Sequence, residues 1–248
     1  MVGAPRKQSS VTGSSSEPRP RNQLLSALPD EDFLRIRPDL KIVPIRAKQV
    51  LHKQGERIEH VYFPNGGVCS VTTVLSDGSM VEAATVGDEG MLGLEAFHSE
   101  DATAPGETLM QVPDTDAVEM SVKAFRTEIE RHGALYRLMG RYTQVVIAQI
   151  MQSAACNALH VVEQRCARWL LMTHDRMHET DFKLSHEFLG VMLGVRRPTV
   201  TLVAGTLQKA GLIRYSHGRV NVLDRKALEG ASCECYAVIR GHFDGLRG

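Results

Sequence analysis

Residues 184–224, LSHEFLGVMLGVRRPTVTLVAGTLQKAGLIRYSHGRVNVLD, hold the side chains best placed to do chemistry together. Arg196 and Arg197 stand just after Gly194, where an apolar pattern of Val200, Val203 and Leu207 begins at helical spacing. Pro198 fits the first turn of such a helix, because the N–H it lacks would have no partner inside the helix there. Thr199, Thr201 and, further on, Gln208 are the other polar residues of this segment. N-terminal residues of a helix laid in the major groove reach base edges, and an arginine can take guanine O6 and N7 together for roughly 1–3 kcal/mol of discrimination. Arg197 is expected in that role. Ser185, His186, Thr199, His217 and Arg219 are placed to hold phosphates, contacts that position a module without reading sequence.

Two short helices and a hairpin must present these groups. Ser185 is a sound N-cap for HEFLGVML, whose Phe188, Leu189, Met192 and Leu193 form one apolar face, and Gly194 ends that helix. The second helix runs to Gly211. LIRYSHGRVNVLD then reads as two strands around His217-Gly218, a wing, while HETDFK ahead of Leu184 reads as a loop. Residues 159–230 are therefore expected to form a winged helix-turn-helix, followed by a C-terminal tail at 231–248.

The rest of the chain divides by texture. Residues 1–23 are rich in Ser, Pro, Gly and Arg and are expected to be a disordered tail. LLSALPDEDFLRIRPDL predicts short helical turns broken by Pro29 and Pro38. From Lys41 to about Ser121 short β-type runs alternate with turns, close to one turn per 8–12 residues, as in an all-β roll. Ser76-Asp77-Gly78-Ser79 marks the clearest hairpin, since Asp-Gly supplies the positive φ of a tight turn. The roll is expected over 24–132. Residues 133–158 predict a long helix in which Leu135, Leu138, Tyr142, Val145, Gln149 and Gln152 share one stripe. That stripe is expected to pair with a second copy, making 133–158 a dimerisation helix; burial of the stripe within one chain is the alternative. A break near Asn157 separates it from the next helix, starting around Val161.

Composition narrows the function further. The 248 residues carry 29 Lys+Arg and 29 Asp+Glu, yet residues 23–130 hold 9 basic and 19 acidic groups while 181–226 hold 8 and 3. Only the back half is expected to meet a polyanion. The N-terminal segment has no apolar secretory stretch, and no segment approaches the roughly 18 apolar residues of a membrane span. A cytoplasmic protein without membrane contact is expected. Cys69, Cys156, Cys166, Cys233 and Cys235 are read as ordinary free thiols, because only the SCECY pair is close in sequence and two residues do not make a four-ligand metal site. No metal is expected.

Taken together, residues 25–235 resemble a transcriptional regulator of the Crp/Fnr family. The match is strongest in LSHEFLGVMLGVRRPTVTLVAGTLQKAGLI, where Gly190, Gly194, Arg197, Thr199, Val200, Leu212 and Ile213 fill the family's places. The resemblance implies an α+β chain: a cyclic-nucleotide-binding-like β-roll, a long dimerisation helix and a C-terminal winged helix-turn-helix. Pro198 stands where the best-known members have a glutamate, so the operator should differ at the base that glutamate contacts. The turn VGDEGMLGLEAF resembles the family's β-roll, but Met91 stands near its ribose-binding glutamate, and ATAPGETL offers Glu107 with no phosphate-binding arginine. Cyclic AMP is therefore not expected as a ligand, and no cofactor is predicted. The absence of cysteine from the N-terminal tail argues against the iron–sulfur branch, while Cys69, His52, His60 and His98 form no local haem pattern.

The expected function is sequence-specific DNA binding by a homodimer at an inverted repeat, with no enzymatic activity. An effector of unknown identity is compatible with the roll. Double-stranded DNA and a second copy are the expected partners; RNA polymerase joins them if the protein activates, and repression by occlusion needs no such contact. The rival class is a small-barrel metalloenzyme or a ligand-binding protein using the roll. The metalloenzyme would need several His and carboxylates converging from neighbouring strands, and no H-x-H pair is present.

Overall fold

The computed structural model describes residues 19–112, 116–177, 179 and 181–247. Residues 1–18 of the expected tail lie outside that range, but Arg19 to Gln23 are tied down. Asn22 is buried and caps the short helix α1 (Gln23–Ser26), its side-chain oxygen accepting from Leu24 and Leu25 N–H. Helix α2 (Asp30–Ile36) follows and buries Phe33 and Ile36.

Seven strands then form the roll: β1 (Lys41–Pro44), β2 (Val50–His52), β3 (His60–Pro64), β4 (Val68–Val74), β5 (Met80–Val86), β6 (Glu107–Val112) and β7 (Asp116–Ser121). One sheet has the order β1-β7-β3 and the other β2-β6-β4-β5, with every pairing antiparallel. The hairpin at Asp77-Gly78 forms as the turn chemistry predicts: Val74 pairs with Met80, Gly78 has φ +81°, and the Asp77 carboxylate accepts from both Ser79 N–H and its hydroxyl.

Helix α3 (Val122–Ile129) leads to α4 (Ala134–Leu159), a 26-residue helix, and α5 (Val162–Arg176) begins after a break at His160 and Val161. The C-terminal part contains β8 (Asp181–Lys183), α6 (His186–Leu193), α7 (Arg197–Lys209), β9 (Ile213–Ser216), β10 (Arg219–Val222) and α8 (Arg225–Ala231). The wing is three-stranded, in the order β8-β10-β9, so the segment read as a loop supplies its third strand. The signal was short: Phe182 is the single buried side chain of a three-residue strand. The 231–248 tail is a helix for most of its length, α9 (Cys235–Arg247), packed on α4 and α5 through Tyr236, Ile239 and Phe243.

This packing corrects the expected dimer stripe. Leu135, Tyr142, Val145 and Gln149 are buried inside their own chain, and Leu138 packs against the same core. The Tyr142 hydroxyl accepts from Met91 N–H at 3.0 Å and lies 3.1 Å from Met91 O, while Gln149 Nε2 donates to Thr85 O at 3.0 Å. Gln152 Nε2 donates to Cys235 Sγ. The roll and α9 together cover the face that was expected to meet a partner; the outer face instead exposes Ile147, Ile150 and Met151. Among the described residues no helix is long and apolar enough to cross a membrane.

Candidate nucleic-acid interface

The turn between α6 and α7 is built tightly. Ser185 Oγ accepts from Phe188 N–H at 3.1 Å, capping α6, and Gly194 closes it at φ +63°. Gly190 is required by close approach: a Cβ there would stand 2.8 Å from Val195 O. Val200, Val203 and Leu207 turn inward as their spacing predicts and lock α7 against α6.

The opposite face of α7 is open to solvent. Arg196 is its N-cap and Arg197 its first residue; both are exposed, and neither side chain has a hydrogen bond or ion pair among the described residues. Thr199 is half-buried, and the exposed Thr201 hydroxyl donates to Arg197 O at 3.1 Å. A 13-residue helix rises about 20 Å, ample to cross a major groove about 12 Å wide. At the wing tip His217 has φ +50° and Gly218 φ +71°, a pair of left-handed residues that makes the tight hairpin and holds His217 out in solvent.

Besides Ser185 and Thr201, three more of the expected contact residues are engaged inside the chain. His186 is stacked on Tyr215, with ring centroids 4.2 Å apart, and its Nδ1 lies 3.0 Å from Thr201 Oγ1. Burial, aided by the nearby Arg197 charge, lowers its pKa, and the ring ties the start of α6 to α7. Gln208 Oε1 accepts from Tyr215 N–H at 2.7 Å and joins α7 to the wing. Arg219 pairs with Asp181 through Nε, and Glu179 lies 3.8 Å away. Asp181 and Tyr215 are the residues that sequence reasoning missed. Only the pairing of β8 with β10 sets Asp181 beside Arg219, and no local pattern announces it.

Inside the roll, a cavity of about 250 Å³ lies between the β4–β6 sheet and α4. Its lining is mostly apolar, with His52, Thr73, Glu95, Thr108 and Tyr142 as polar members and no lysine or arginine among the described residues. Burial lowers the pKa of His52, whose Nε2 lies 2.8 Å from His60 O, and raises that of Glu95.

The fold and this face define a class: a β-roll joined by a long helix to a winged helix-turn-helix, the architecture of a DNA-binding module. Residues 164–231 match the Crp-like helix-turn-helix domain. That match spans the helix-turn-helix and its wing, α5 to α8, and not the roll. The chain is similar in structure to a Crp/Fnr-family protein from Eubacterium rectale, with TM-score 0.64 and 19% identity over 84% of this chain and 96% of that one. FixK2 from Bradyrhizobium japonicum has TM-score 0.66 and 17% identity, covering 78% of this chain and 98% of its own. A CRP-family transcriptional regulator from Thermus thermophilus has TM-score 0.63 and 24% identity, with 78% and 99% covered. At these identities the likeness establishes the fold. No curated protein matches the chain in sequence.

Proposed function

We propose that the protein binds an inverted-repeat operator as a homodimer, Arg197 of each copy reading a guanine, and that its roll answers to an effector other than a cyclic nucleotide. One observation carries the DNA reading: the exposed Arg196-Arg197 pair on the first turn of α7. The outer face of α4 supports the dimer. Gln144, Ile147, Met151, Ala154 and Ala158 are all exposed and recur at spacings of three and four, the pattern of a two-helix seam, and Met151 is 68% exposed. Two recognition helices across such a seam would meet half-sites about 34 Å apart.

The cavity supports the effector reading. A cyclic phosphate there would meet the Glu95 carboxyl and no cationic partner, so an uncharged or cationic molecule fits better. Such a molecule regulates only if it binds two dimer geometries unequally. Contact of an exposed roll surface with RNA polymerase and repression by occlusion are both compatible with this architecture.

The test is selection of bound fragments from the source genome by the purified protein, followed by affinity measurements at two salt concentrations for wild type and Arg197→Ala. Recovery of an inverted repeat, with preference at one guanine relaxed by roughly 1–3 kcal/mol in the variant, is the expected result. An Arg197→Ala protein that keeps full base preference would overturn the assignment.

A further inference from the structure

Three thiols and an imidazole meet at the junction between the roll and the DNA-binding domain. Cys156 and His160 lie one turn apart at the end of α4, and His160 closes that helix, its N–H donating to Cys156 O. Cys233 and Cys235 flank Glu234 where α8 gives way to α9. One donor atom from each of the four residues falls within 4.8 Å of the others. Cys156 Sγ is 3.5 Å from Cys233 Sγ, and Cys235 Sγ is 3.5 Å from His160 Nδ1. The three cysteines are buried and form a small cluster of their own, apart from the main core.

These separations suit a single tetrahedral ion. With zinc–sulfur bonds of about 2.3 Å and zinc–nitrogen bonds of about 2.0–2.1 Å, ligand atoms stand roughly 3.5–3.8 Å apart. An iron–sulfur cluster interposes several atoms between its thiolates and needs a wider cage.

The surroundings point the same way. His160 Nε2 lies 3.3 Å from Glu234 Oε1, and a carboxylate on that nitrogen fixes the tautomer that leaves the Nδ1 lone pair facing the thiols. Gln152 Nε2 donates to Cys235 Sγ at 3.0 Å, a contact that stabilises a metal-bound thiolate. The buried Arg168 places a positive charge near Cys156, offsetting the net −1 of three thiolates and one divalent cation.

We infer that Cys156, His160, Cys233 and Cys235 bind one zinc ion, which clasps α9 to the hinge between α4 and α5. Binding displaces the three thiol protons to solvent. Four protein donors leave no open position, so the ion is structural rather than catalytic. Its effect on DNA binding would run through the hinge, since α5 is the first helix of the DNA-binding domain.

Elemental analysis of the full chain, expressed with zinc and purified under reducing conditions, tests this. One zinc per chain is expected, with cobalt substitution giving the intense visible bands of a tetrahedral thiolate site. Cys233→Ser combined with Cys235→Ser should abolish binding, whereas His160→Cys, which supplies a fourth thiolate, should keep one equivalent. Glu234→Gln, an exposed change that leaves the fold intact, should weaken zinc in chelator competition by about 10–100-fold. Wild-type protein without zinc, a Cys156–Cys233 disulfide in its place, or zinc retained by the double serine variant would each overturn the inference.

Discussion

Two groups of arginines in this chain do opposite work. On α5, Arg176 is buried, its Nη2 2.6 Å from Glu89 Oε1 and its Nη1 2.8 Å from Thr85 Oγ1, both in the roll. Arg165 Nη1 donates to Leu193 O at 3.0 Å, satisfying a carbonyl at the end of α6. On α7, Arg196 and Arg197 face water. A count of positive charge therefore does not separate the two groups; whether each guanidinium finds an acceptor inside the chain does. Arg176 welds α5 to the roll, Arg165 ties it to α6, and the exposed pair is left for an outside anion.

Breaking the weld should have the largest effect. Arg176→Met removes the partner of a buried carboxylate and strands Glu89. Such a loss typically costs about 3–5 kcal/mol. For a chain of this length, that lowers the melting temperature by on the order of 10 °C. Arg197→Ala, measured beside it, should melt within about 0.5 kcal/mol of wild type. Equal melting of the two variants would erase the distinction between the groups.

A second contact across the same junction adds a pH dependence. Glu82 on β5 accepts from Ser70 Oγ and, at 3.0 Å, from Trp169 Nε1 of α5. Burial raises its pKa to about 7, against the opposing pull of Ser70, Arg168, Trp169 and Arg176. A carboxyl whose folded pKa lies above its unfolded value binds more protons when folded. Its contribution is fully present below about pH 4.5 and is lost as pH rises to about 7. Glu82→Gln keeps the shape without the charge, so the stability difference between wild type and variant should shift against wild type across that window. Urea unfolding at a series of pH values reads it, and a difference that stays flat with pH would show that burial does not raise the Glu82 pKa.

Where periodicity or turn chemistry alone decides an element, the sequence was sufficient: the short β-type runs between Lys41 and Ser121 became strands, and Ser185, Gly194 and the Val200–Leu207 repeat set the helix-turn-helix. It failed where two solutions share one pattern. The Leu135–Gln152 stripe and the Ile147–Met151 face run at the same spacing on α4, and nothing local tells which one the roll will cover. Tyr236, Ile239, Phe243 and Leu246 did carry a helical repeat in the C-terminal segment, with Gly241 and Gly245 weakening it. The cysteine–histidine cluster was invisible for another reason: its halves lie 77 residues apart, and only the docking of α9 on α4 joins them.

The wing falls between the two kinds of arginine and offers the finest test. Arg219 lies on β10 facing DNA in the expected arrangement, yet Asp181 holds it and raises its pKa, while the same pair lowers that of Asp181. The pair is solvent-exposed, so removing it should change stability little. Asp181→Asn combined with Glu179→Gln leaves the wing pairing of β8 with β10 untouched and releases the guanidinium from both carboxylates. If Arg219 then takes a phosphate, affinity should rise equally for specific and unrelated DNA, and the slope of log affinity against log salt should steepen by about one. An unchanged slope would place Arg219 with the buried arginines, as a structural partner of Asp181, and would leave Arg196, Arg197 and the wing tip to make the contacts with DNA.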